Sequence, residues 1–374
     1  MKWRVRSDRA MTSRQRVAAA LARQPVDRVP VFMWFHPDTA RKLAAMLEIP
    51  VHALAEAMGN DVRQTWVNNN YAMEGIVHDL DGETHTDWWG ITWFRQFSFN
   101  QISHYPLAGV SREQVLAYEF PYERVEDLLD LMRPVVENPG DCFIGCDVSP
   151  CVFEMYWRLR GMEDAMADIA GDAGLADEMF GRCADFAVRL GEEACRRFAL
   201  DWYWTGDDVA GQRCLMMSPA SWRTLVRPHL QRVIDVGKAH ALPVAYHCCG
   251  ALRPIIPDLI EMGVDVLNPV QANCPGMDAF ELKREYGARL AFMGGVDTQE
   301  LLPRASAAEV RRTTGALIEG MTADGGGYIL AASHTVSPET PDANIFAMYQ
   351  AAGISRESIF DSAAAIRTRL SHSA

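Results

Sequence analysis

The sequence predicts an α/β protein built as a (β/α)8 TIM barrel, and three observations carry that prediction. Eight short apolar runs recur along the chain, and amphipathic helical stretches separate them. Eight such units favour a closed barrel over an open doubly wound sheet. The chain has 374 residues, a length at which α/β barrels routinely form one domain. We therefore expect a single barrel domain over residues 1–374.

The predicted strands are short, rich in β-branched or aromatic residues and bounded by turn residues. They cover Val29–Trp34, Asp61–Val67, Cys142–Asp147, Trp202–Asp207, Pro243–Cys249, Val264–Val270, Leu290–Gly295 and Tyr328–Ser333. The predicted helices cover Thr12–Ala22, Ala176–Phe198, Ser218–Ala239, Ile255–Met262, Ala307–Met321 and Ser358–Leu370. Ser218 is followed by proline, and Ser306 precedes an apolar-periodic run, so both are expected to be N-cap residues.

The segment 81–122 breaks this alternation of strands and helices. We expect it to be an aromatic-rich insertion after the second strand that forms a hairpin or a lid. Its aromatic residues include Trp88, Trp89, Trp93, Phe94, Phe97, Phe99 and Tyr105. Residues 1–28 are expected to form an N-terminal extension and a helix, and translation could begin at Met1 or at Met11.

Composition and charge argue against several classes of partner. Apolar residues make up 49% of the chain and charged residues 23%, as in ordinary globular proteins. The net charge is −13 and no run of lysine or arginine occurs, so we expect neither a nucleic-acid nor a membrane surface. No apolar stretch approaches the ~18 residues of a membrane span, and no secretory signal follows Met1. Nine cysteines without regular spacing indicate reduced thiols and a cytoplasmic location.

Polar side chains follow seven of the eight predicted strands. In a barrel the carboxyl ends of the strands meet at one mouth, where catalytic and binding residues lie. Asp147, Asp207 and Asp208 are therefore predicted to act in catalysis, although only one of two adjacent aspartates can face the barrel. The predicted substrate-binding residues are Trp34, His36, Asn268, Gln271 and Asp297. Asp208 and Asp297 could instead be helix caps.

His247 and Cys249 are predicted to form half of a zinc site. Side chains alternate along a strand, so both point to one face, while Cys248 points to the other. His334 ends the eighth strand and is the predicted third ligand, which would leave the fourth zinc position open, as in catalytic sites. Two alternatives stay open. The pair could be a packed histidine beside buried cysteines, and His334 could hydrogen-bond a loop or a substrate.

Several short motifs occur in order along nearly the whole chain. They are Arg14–Val17 with Pro25–Val31, Gly206–Asp208 with Gly211, Gln212 and Met217–Pro219, His247–Gly250, Asn268–Gln271, Gly294–Gln299, and Ser333 and His334 with Pro338–Pro341 and Asn344. Together these motifs resemble those of the uroporphyrinogen decarboxylase superfamily. The resemblance implies the same (β/α)8 barrel.

The resemblance covers two chemistries, and the chain departs from the decarboxylases. True decarboxylases carry an arginine-rich segment after the first strand, whereas this chain reads Trp34–Ala40 there and Arg41 comes later. They also carry an aspartate at the end of the second strand, where this chain has Thr65–Asn68. A substrate with several carboxylates needs cationic partners, so these departures argue against porphyrinogen decarboxylation.

The methyltransferase branch of the superfamily is more similar to this chain. Its members bind zinc through a His-x-Cys pair, which matches His247 and Cys249, and through a third ligand near the last strand. That ligand is a cysteine in the best-known members, whereas the matching residue here is His334, and decarboxylases also have a histidine there. The resemblance therefore implies transfer of a methyl group between a small methylated compound or thiol and a corrinoid (cobalamin). Zinc would be the Lewis acid, and a partner protein would carry the corrinoid.

Two other functions stay open as alternatives to this methyltransferase. One is a metal-free decarboxylase that uses aspartates, and the other is a non-catalytic barrel that binds a corrinoid or a tetrapyrrole. The partners expected for the methyltransferase are a small-molecule methyl donor or acceptor and the corrinoid protein. A homodimer is compatible with the sequence.

Overall fold

The computed structural model of the protein describes residues 10–68 and 78–372. Within that part, the chain forms two compact units. The first comprises residues 10–63, 139–144 and 266–372. The second comprises residues 64–68, 78–138 and 145–265.

Ten strands and a larger number of helices occur in the described residues. The strands are β1 Val62–Trp66, β2 Thr84–Thr86, β3 Thr92–Gln96, β4 Phe99–His104, β5 Phe143–Asp147, β6 Trp202–Gly206, β7 Val244–His247, β8 Val266–Val270, β9 Ala291–Val296 and β10 Tyr328–Ala332. The α-helices are Ser13–Leu21, Pro37–Leu47, Leu54–Ala57, Arg112–Leu116, Val125–Asp130, Arg133–Val136, Phe153–Arg160, Met162–Gly171, Ala173–Arg197, Pro219–Ser221, Arg227–Ala239, Ile256–Met262, Ala279–Tyr286, Leu301–Arg304, Ala307–Met321, Asp342–Ala351 and Arg356–Ser371. A π-helical turn covers Trp222–Val226, and 3-10 turns cover Val51–Ala53, Tyr122–Arg124 and Arg253–Ile255.

The second unit contains the strands that lead to His247. Its order is β1–β5–β6–β7, and β6 runs parallel to both β5 and β7, with Gly206 opposite His247. Every residue of β5, β6 and β7 is buried, as expected for parallel strands covered on both faces. Gly145 of β5 lies against the indole of Trp202, where a Cβ atom would come within 2.1 Å of the indole nitrogen. Glycine is therefore required at this point.

An antiparallel sheet of three strands lies in the segment 81–122 of the second unit. Its order is β2–β3–β4. Phe97 and Ser98 join β3 to β4 with positive φ angles of 51° and 68°, the backbone of a tight two-residue hairpin. Trp93 of β3 donates its indole N–H to the Asp87 carboxylate over 2.7 Å, which ties the sheet to the loop before it. That this segment acts as a lid stays a prediction.

The first unit contains three parallel strands, β8, β9 and β10 in that order. The predicted first strand, Val29–Trp34, is wrong as a continuous strand. It forms an isolated bridge from Val31 to Leu330 of β10. Pro30 has no N–H, and Val31 donates its own to the Asp61 carboxylate over 2.8 Å, so two successive ladder donors are missing. The parallel α/β class is thus confirmed, with seven strands within residues 10–68 and 78–372 where eight are predicted for the chain.

A buried ion cluster stabilises the start of the first unit. Asp61 is fully buried and accepts from Arg16 over 2.5 Å and from Arg28 over 2.6 Å. Arg16 also pairs with Asp27 over 2.6 Å. Because these partners satisfy one another, the cluster fixes the chain just before β1.

The predicted helix starts are confirmed at two serines. The Ser218 hydroxyl accepts from the Ser221 N–H over 3.0 Å, and the Ser306 hydroxyl accepts from the Glu309 N–H over 3.3 Å. The prediction of one helix over Ser218–Ala239 is wrong in detail, because a π-helical turn interrupts it before Pro228. Proline cannot donate, and its ring displaces the preceding turn, so the helix widens there. None of the helices in the described ranges is long and apolar enough to cross a membrane.

Candidate functional site

The centre of the candidate site is the pair His247 and Cys249 at the end of β7. His247 is the last residue of the strand and is buried, and Cys249 is half-buried. The imidazole Nε2 of His247 lies 3.6 Å from the Sγ of Cys249. The predicted strand Pro243–Cys249 ends two residues early, at His247, so Cys249 lies in the loop that follows β7. A nitrogen and a sulfur nevertheless lie side by side there, while Cys248 between them is fully buried.

The separation of these two atoms fits a zinc ion. Zinc lies about 2.1 Å from histidine nitrogen and about 2.3 Å from thiolate sulfur, so tetrahedral angles separate the two ligand atoms by about 3.6 Å. The observed 3.6 Å between Nε2 and Sγ matches that value without movement of either side chain. The spacing of the pair thus fits two ligands of one zinc ion, and it is also that of a hydrogen bond between a thiol and an imidazole. Zinc binding stays a prediction.

His334, the predicted third ligand, lies in the first unit, whereas His247 and Cys249 lie in the second. Its part in a metal site stays a prediction. His334 follows β10 directly and is exposed, whereas its neighbour Ser333 is buried.

Asp208 lies beside the His247–Cys249 pair. Its Oδ1 accepts from the Cys249 N–H over 2.8 Å and lies 3.9 Å from the His247 Nε2. Nitrogen and oxygen ligands of one tetrahedral zinc would be about 3.4 Å apart, so the carboxylate fits better as a hydrogen-bond acceptor than as a ligand. Asp208 therefore supports the backbone of the pair.

Asp207 points elsewhere and anchors a helix. Its carboxylate is fully buried and accepts the N–H groups of Val152, Phe153 and Glu154 over 3.3, 3.1 and 2.7 Å at the start of the helix Phe153–Arg160. Burial raises the pKa of Asp207 to about 7, and the nearby Glu154 carboxylate adds to the rise. The two adjacent aspartates thus have different partners. The predicted catalytic role of Asp207 competes with a structural one.

Glu154 is a site residue that sequence reasoning missed. It is buried, its Oε1 pairs with Arg158 over 2.5 Å, and its Oε2 accepts the Asp208 N–H over 3.0 Å. Burial raises the pKa of Glu154, while the Arg158 guanidinium opposes that rise. The signal in the sequence is a glutamate four residues before an arginine in a helix whose other residues are apolar except for Arg160.

Asp147 is the last residue of β5, and its side chain bonds the loop that follows. Its Oδ1 accepts both the N–H and the hydroxyl of Ser149, over 2.8 and 2.6 Å. The Trp66 indole N–H donates to the carbonyl of the same serine over 2.8 Å. These bonds hold the loop after β5 against the end of β1. The predicted catalytic role of Asp147 stays a prediction.

The predicted substrate-binding residues all lie in the first unit, and two of them have side chains that accept backbone N–H groups. The Nδ1 of His36 accepts the Asp38 N–H over 3.1 Å at the start of the helix Pro37–Leu47. Asp297 accepts the N–H groups of Gln299 and Leu301 over 2.8 and 3.3 Å. The N-cap of the helix Leu301–Arg304 is Glu300 and has no side-chain cap, so Asp297 braces the turn before that helix. The bond of Asp208 goes to Cys249, which lies outside any helix.

The remaining predicted substrate-binding residues are Trp34, Asn268 and Gln271. The Trp34 ring packs edge-on against Phe32 with the ring centroids 5.3 Å apart. Asn268 is buried in β8 and donates to the carbonyl of Met293 over 3.4 Å. Gln271 is buried and donates to the carbonyl of Ser333 over 3.4 Å, so it supports the residue before His334. Substrate contact by these three side chains stays a prediction.

Comparison with known protein families identifies the family to which this protein belongs. The family model described as "Uroporphyrinogen decarboxylase (URO-D)" matches residues 120–353, well over half of the chain. The chain belongs to the uroporphyrinogen decarboxylase family. The matched range contains Asp207, Asp208 and all three of the possible metal ligands.

Comparison with solved structures shows the fold of this family member. A methyltransferase from Methanosarcina mazei is 18% identical with a TM-score of 0.69, over 92% of this chain and 99% of that one. An endo-β-1,4-xylanase from Gloeophyllum trabeum is 10% identical with a TM-score of 0.47, over 90% and 98% of the two chains. The second similarity is too weak to bear on fold or function. No curated protein matches the chain.

Proposed function

We propose that this protein is a zinc-dependent methyltransferase that works with a corrinoid carried on a partner protein. The observation that carries the proposal is the 3.6 Å separation of the His247 Nε2 and the Cys249 Sγ, the spacing of two ligands on one zinc. Family membership and the similarity in fold to a methyltransferase support it. His334 is the proposed third ligand, since it offers one further nitrogen.

Each residue around the pair has a stated task in this proposal. Zinc, when bound, would act as a Lewis acid toward a thiol or a methoxy oxygen, and the corrinoid would accept or supply the methyl group. His247 and Cys249 would hold the ion, and Asp208 would fix the Cys249 backbone through its 2.8 Å hydrogen bond. Trp93 stacks on Arg158, the partner of Glu154, so the antiparallel sheet lies beside this network and could limit the entry of water.

The charges near the predicted first strand favour methyl transfer over porphyrinogen decarboxylation. A tetrapyrrole substrate with several carboxylates would require arginines that are available to bind it. The first arginine after Trp34 is Arg41, and it already forms an ion pair with Asp38 on the helix Pro37–Leu47. At the end of β1 the Asn68 amide donates to the carbonyl of Pro150 over 2.8 Å, where decarboxylases are expected to have an aspartate.

The proposed partners are a small methylated compound or thiol and a separate corrinoid protein. None of the nine cysteines, which all lie in the described ranges, forms a disulfide. Reduced thiols suit a zinc thiolate in a reducing compartment such as the cytoplasm. Thiolate ligands must stay reduced to bind zinc, so the two features belong together.

Metal analysis of three variants tests the proposal. Purified wild-type protein should retain about one zinc per chain after reconstitution and dialysis, and His247→Ala and Cys249→Ala should lose it. Cys248→Ala is the matched control, because that thiol is fully buried between the two ligands. The loaded wild type should also transfer methyl groups between methylcobalamin and thiols. Wild type without stoichiometric zinc, or with turnover of uroporphyrinogen, would overturn the proposal.

A further inference from the structure

Two hydrogen bonds join the loop after β6 to the helix Phe153–Arg160 in both directions. The Asp207 carboxylate accepts the Glu154 N–H over 2.7 Å. The Glu154 carboxylate in turn accepts the Asp208 N–H over 3.0 Å. Each side chain therefore fixes the backbone of the other segment, as a capping box does at the start of a single helix.

The Glu154 carboxylate is held in this position by a buried cation. Arg158 lies one turn further along the helix, pairs with Glu154 over 2.5 Å and has a side chain that is only 4% exposed. Its guanidinium lies over the Trp93 ring and over the Trp157 ring, 5.9 Å from each centroid. Because the Glu154 and Arg158 charges are both buried, separating them would leave a buried charge without its partner, which costs free energy.

Glu154 holds the backbone N–H of Asp208, and the position of that backbone determines where the Asp208 side chain points. Asp208 uses its side chain to accept the Cys249 N–H over 2.8 Å, next to the His247 imidazole. A continuous set of contacts therefore runs from Arg158 through Glu154 and Asp208 to the Cys249 backbone.

We infer that Glu154 is a positioning residue for the His247–Cys249 pair. It touches neither donor atom. It acts through Asp208, which holds the end of β7 so that the nitrogen and the sulfur keep a separation that suits one zinc ion. This inference rests on the proposed function for its zinc readout, but its effect on the backbone does not depend on the metal.

Two variants and one control test the inference. Glu154→Ala removes the acceptor for the Asp208 N–H, and Glu154→Gln keeps an oxygen acceptor but loses the charge that faces Arg158. Glu193→Ala is the control, because Glu193 is a similarly buried glutamate that pairs with Arg196 and Arg197 on another helix. For each protein we would measure three quantities. They are the zinc Kd by chelator competition, the absorption spectrum of the cobalt(II)-substituted protein, and amide hydrogen exchange of residues 247–250 in the metal-free protein.

A positioning role predicts a pattern that a purely structural role does not. Glu154→Ala should raise the zinc Kd about 10- to 100-fold, change the cobalt spectrum and speed exchange at 247–250. Glu154→Gln should show smaller changes in the same direction, and it carries the test if the alanine variant does not fold. Glu193→Ala should leave all three readouts as in wild type, even if it lowers the Tm.

Two results separate failure of the inference from failure of the proposed function. If the Glu154 variants lose thermal stability while zinc Kd, spectrum and exchange stay as in wild type, the inference is overturned. If wild type binds no zinc but Glu154→Ala still speeds exchange at 247–250, the positioning inference stands and the zinc methyltransferase proposal falls.

Discussion

The Asp208 carboxylate accepts the backbone N–H of Cys249 over 2.8 Å, and this bond joins the ends of the neighbouring strands β6 and β7. Without this bond, the position of the Cys249 thiol would depend only on the backbone hydrogen bonds of the strand that precedes it. Because the bond is made by a side chain, it can be removed without changing either possible zinc ligand. Asp208 is therefore the most direct place to test how the pair is held.

Replacing Asp208 separates its acceptor role from its charge. Asp208→Asn keeps an oxygen that can accept the Cys249 N–H, so zinc affinity should fall only a few-fold. Asp208→Ala leaves that N–H without its side-chain partner, and the zinc Kd should rise about 10- to 100-fold. Chelator competition measures both values. Equal zinc affinity in wild type and Asp208→Ala would contradict a supporting role for this carboxylate.

Gly250, which follows Cys249, is required both for its positive φ and for the close approach of another backbone segment. Its φ is +88°, and a Cβ there would come within 2.3 Å of the backbone oxygen of Gly211. Gly250→Ala should therefore move the strand end and weaken zinc binding, besides lowering the free energy of unfolding. Gly353→Ala is the matched control, since its φ is +85° and nothing lies within 4 Å of the added Cβ.

Chelator competition and urea unfolding distinguish the two glycines. The control should lose only the ~1–2 kcal/mol of a left-handed residue and keep wild-type zinc affinity. Gly250→Ala should lose more free energy of unfolding and also bind zinc more weakly. Similar losses in both variants, with zinc affinity unchanged, would show that close backbone approach at Gly250 does not matter for the pair.

Strands β6 and β10 could be predicted because both are buried along their whole length and are therefore made mostly of apolar residues. Their bounds are close to those predicted. The run Val29–Trp34 looks similar, yet the Asp61 carboxylate takes the Val31 N–H that a continuous strand would need. That competition involves residues thirty positions apart in the chain, and no local pattern reveals it.

The polar network around the pair was predicted only in part, for a related reason. Strand alternation predicts that His247 and Cys249 share one side, because that periodicity is local, although β7 itself ends at His247. The contact of Glu154 with Asp208 joins residues that are 54 positions apart, and the bond of Asp208 to Cys249 joins residues that are 41 apart. Such contacts follow from how strands and helices pack. The sequence shows the residue types without showing which of them meet.

Asp61 should be among the residues on which the first unit depends most for stability. It is fully buried and accepts hydrogen bonds from Arg16 and Arg28. Asp61→Ala therefore removes the carboxylate that both guanidinium groups bind. Breaking a buried pair in this way costs about 3–5 kcal/mol of unfolding free energy. Asp130→Ala breaks only the exposed pair with Arg133 and should cost less than ~1 kcal/mol. Urea unfolding measures both, and equal losses would contradict the importance of the buried cluster.

Asp27 should make the protein less stable in acid. Burial alone would raise the pKa of its carboxyl, but the Arg16 guanidinium and two backbone N–H groups outweigh burial and lower the pKa from 3.8 to about 2. A depressed folded pKa contributes stability above the unfolded value and loses it as pH falls toward the folded one. The contribution, on the order of 2 kcal/mol, should therefore be present at pH 5 and decline between about pH 4 and pH 2. Urea unfolding of wild type and Asp27→Asn across that range should give curves that converge as pH falls, whereas parallel curves would show that Arg16 does not depress this pKa.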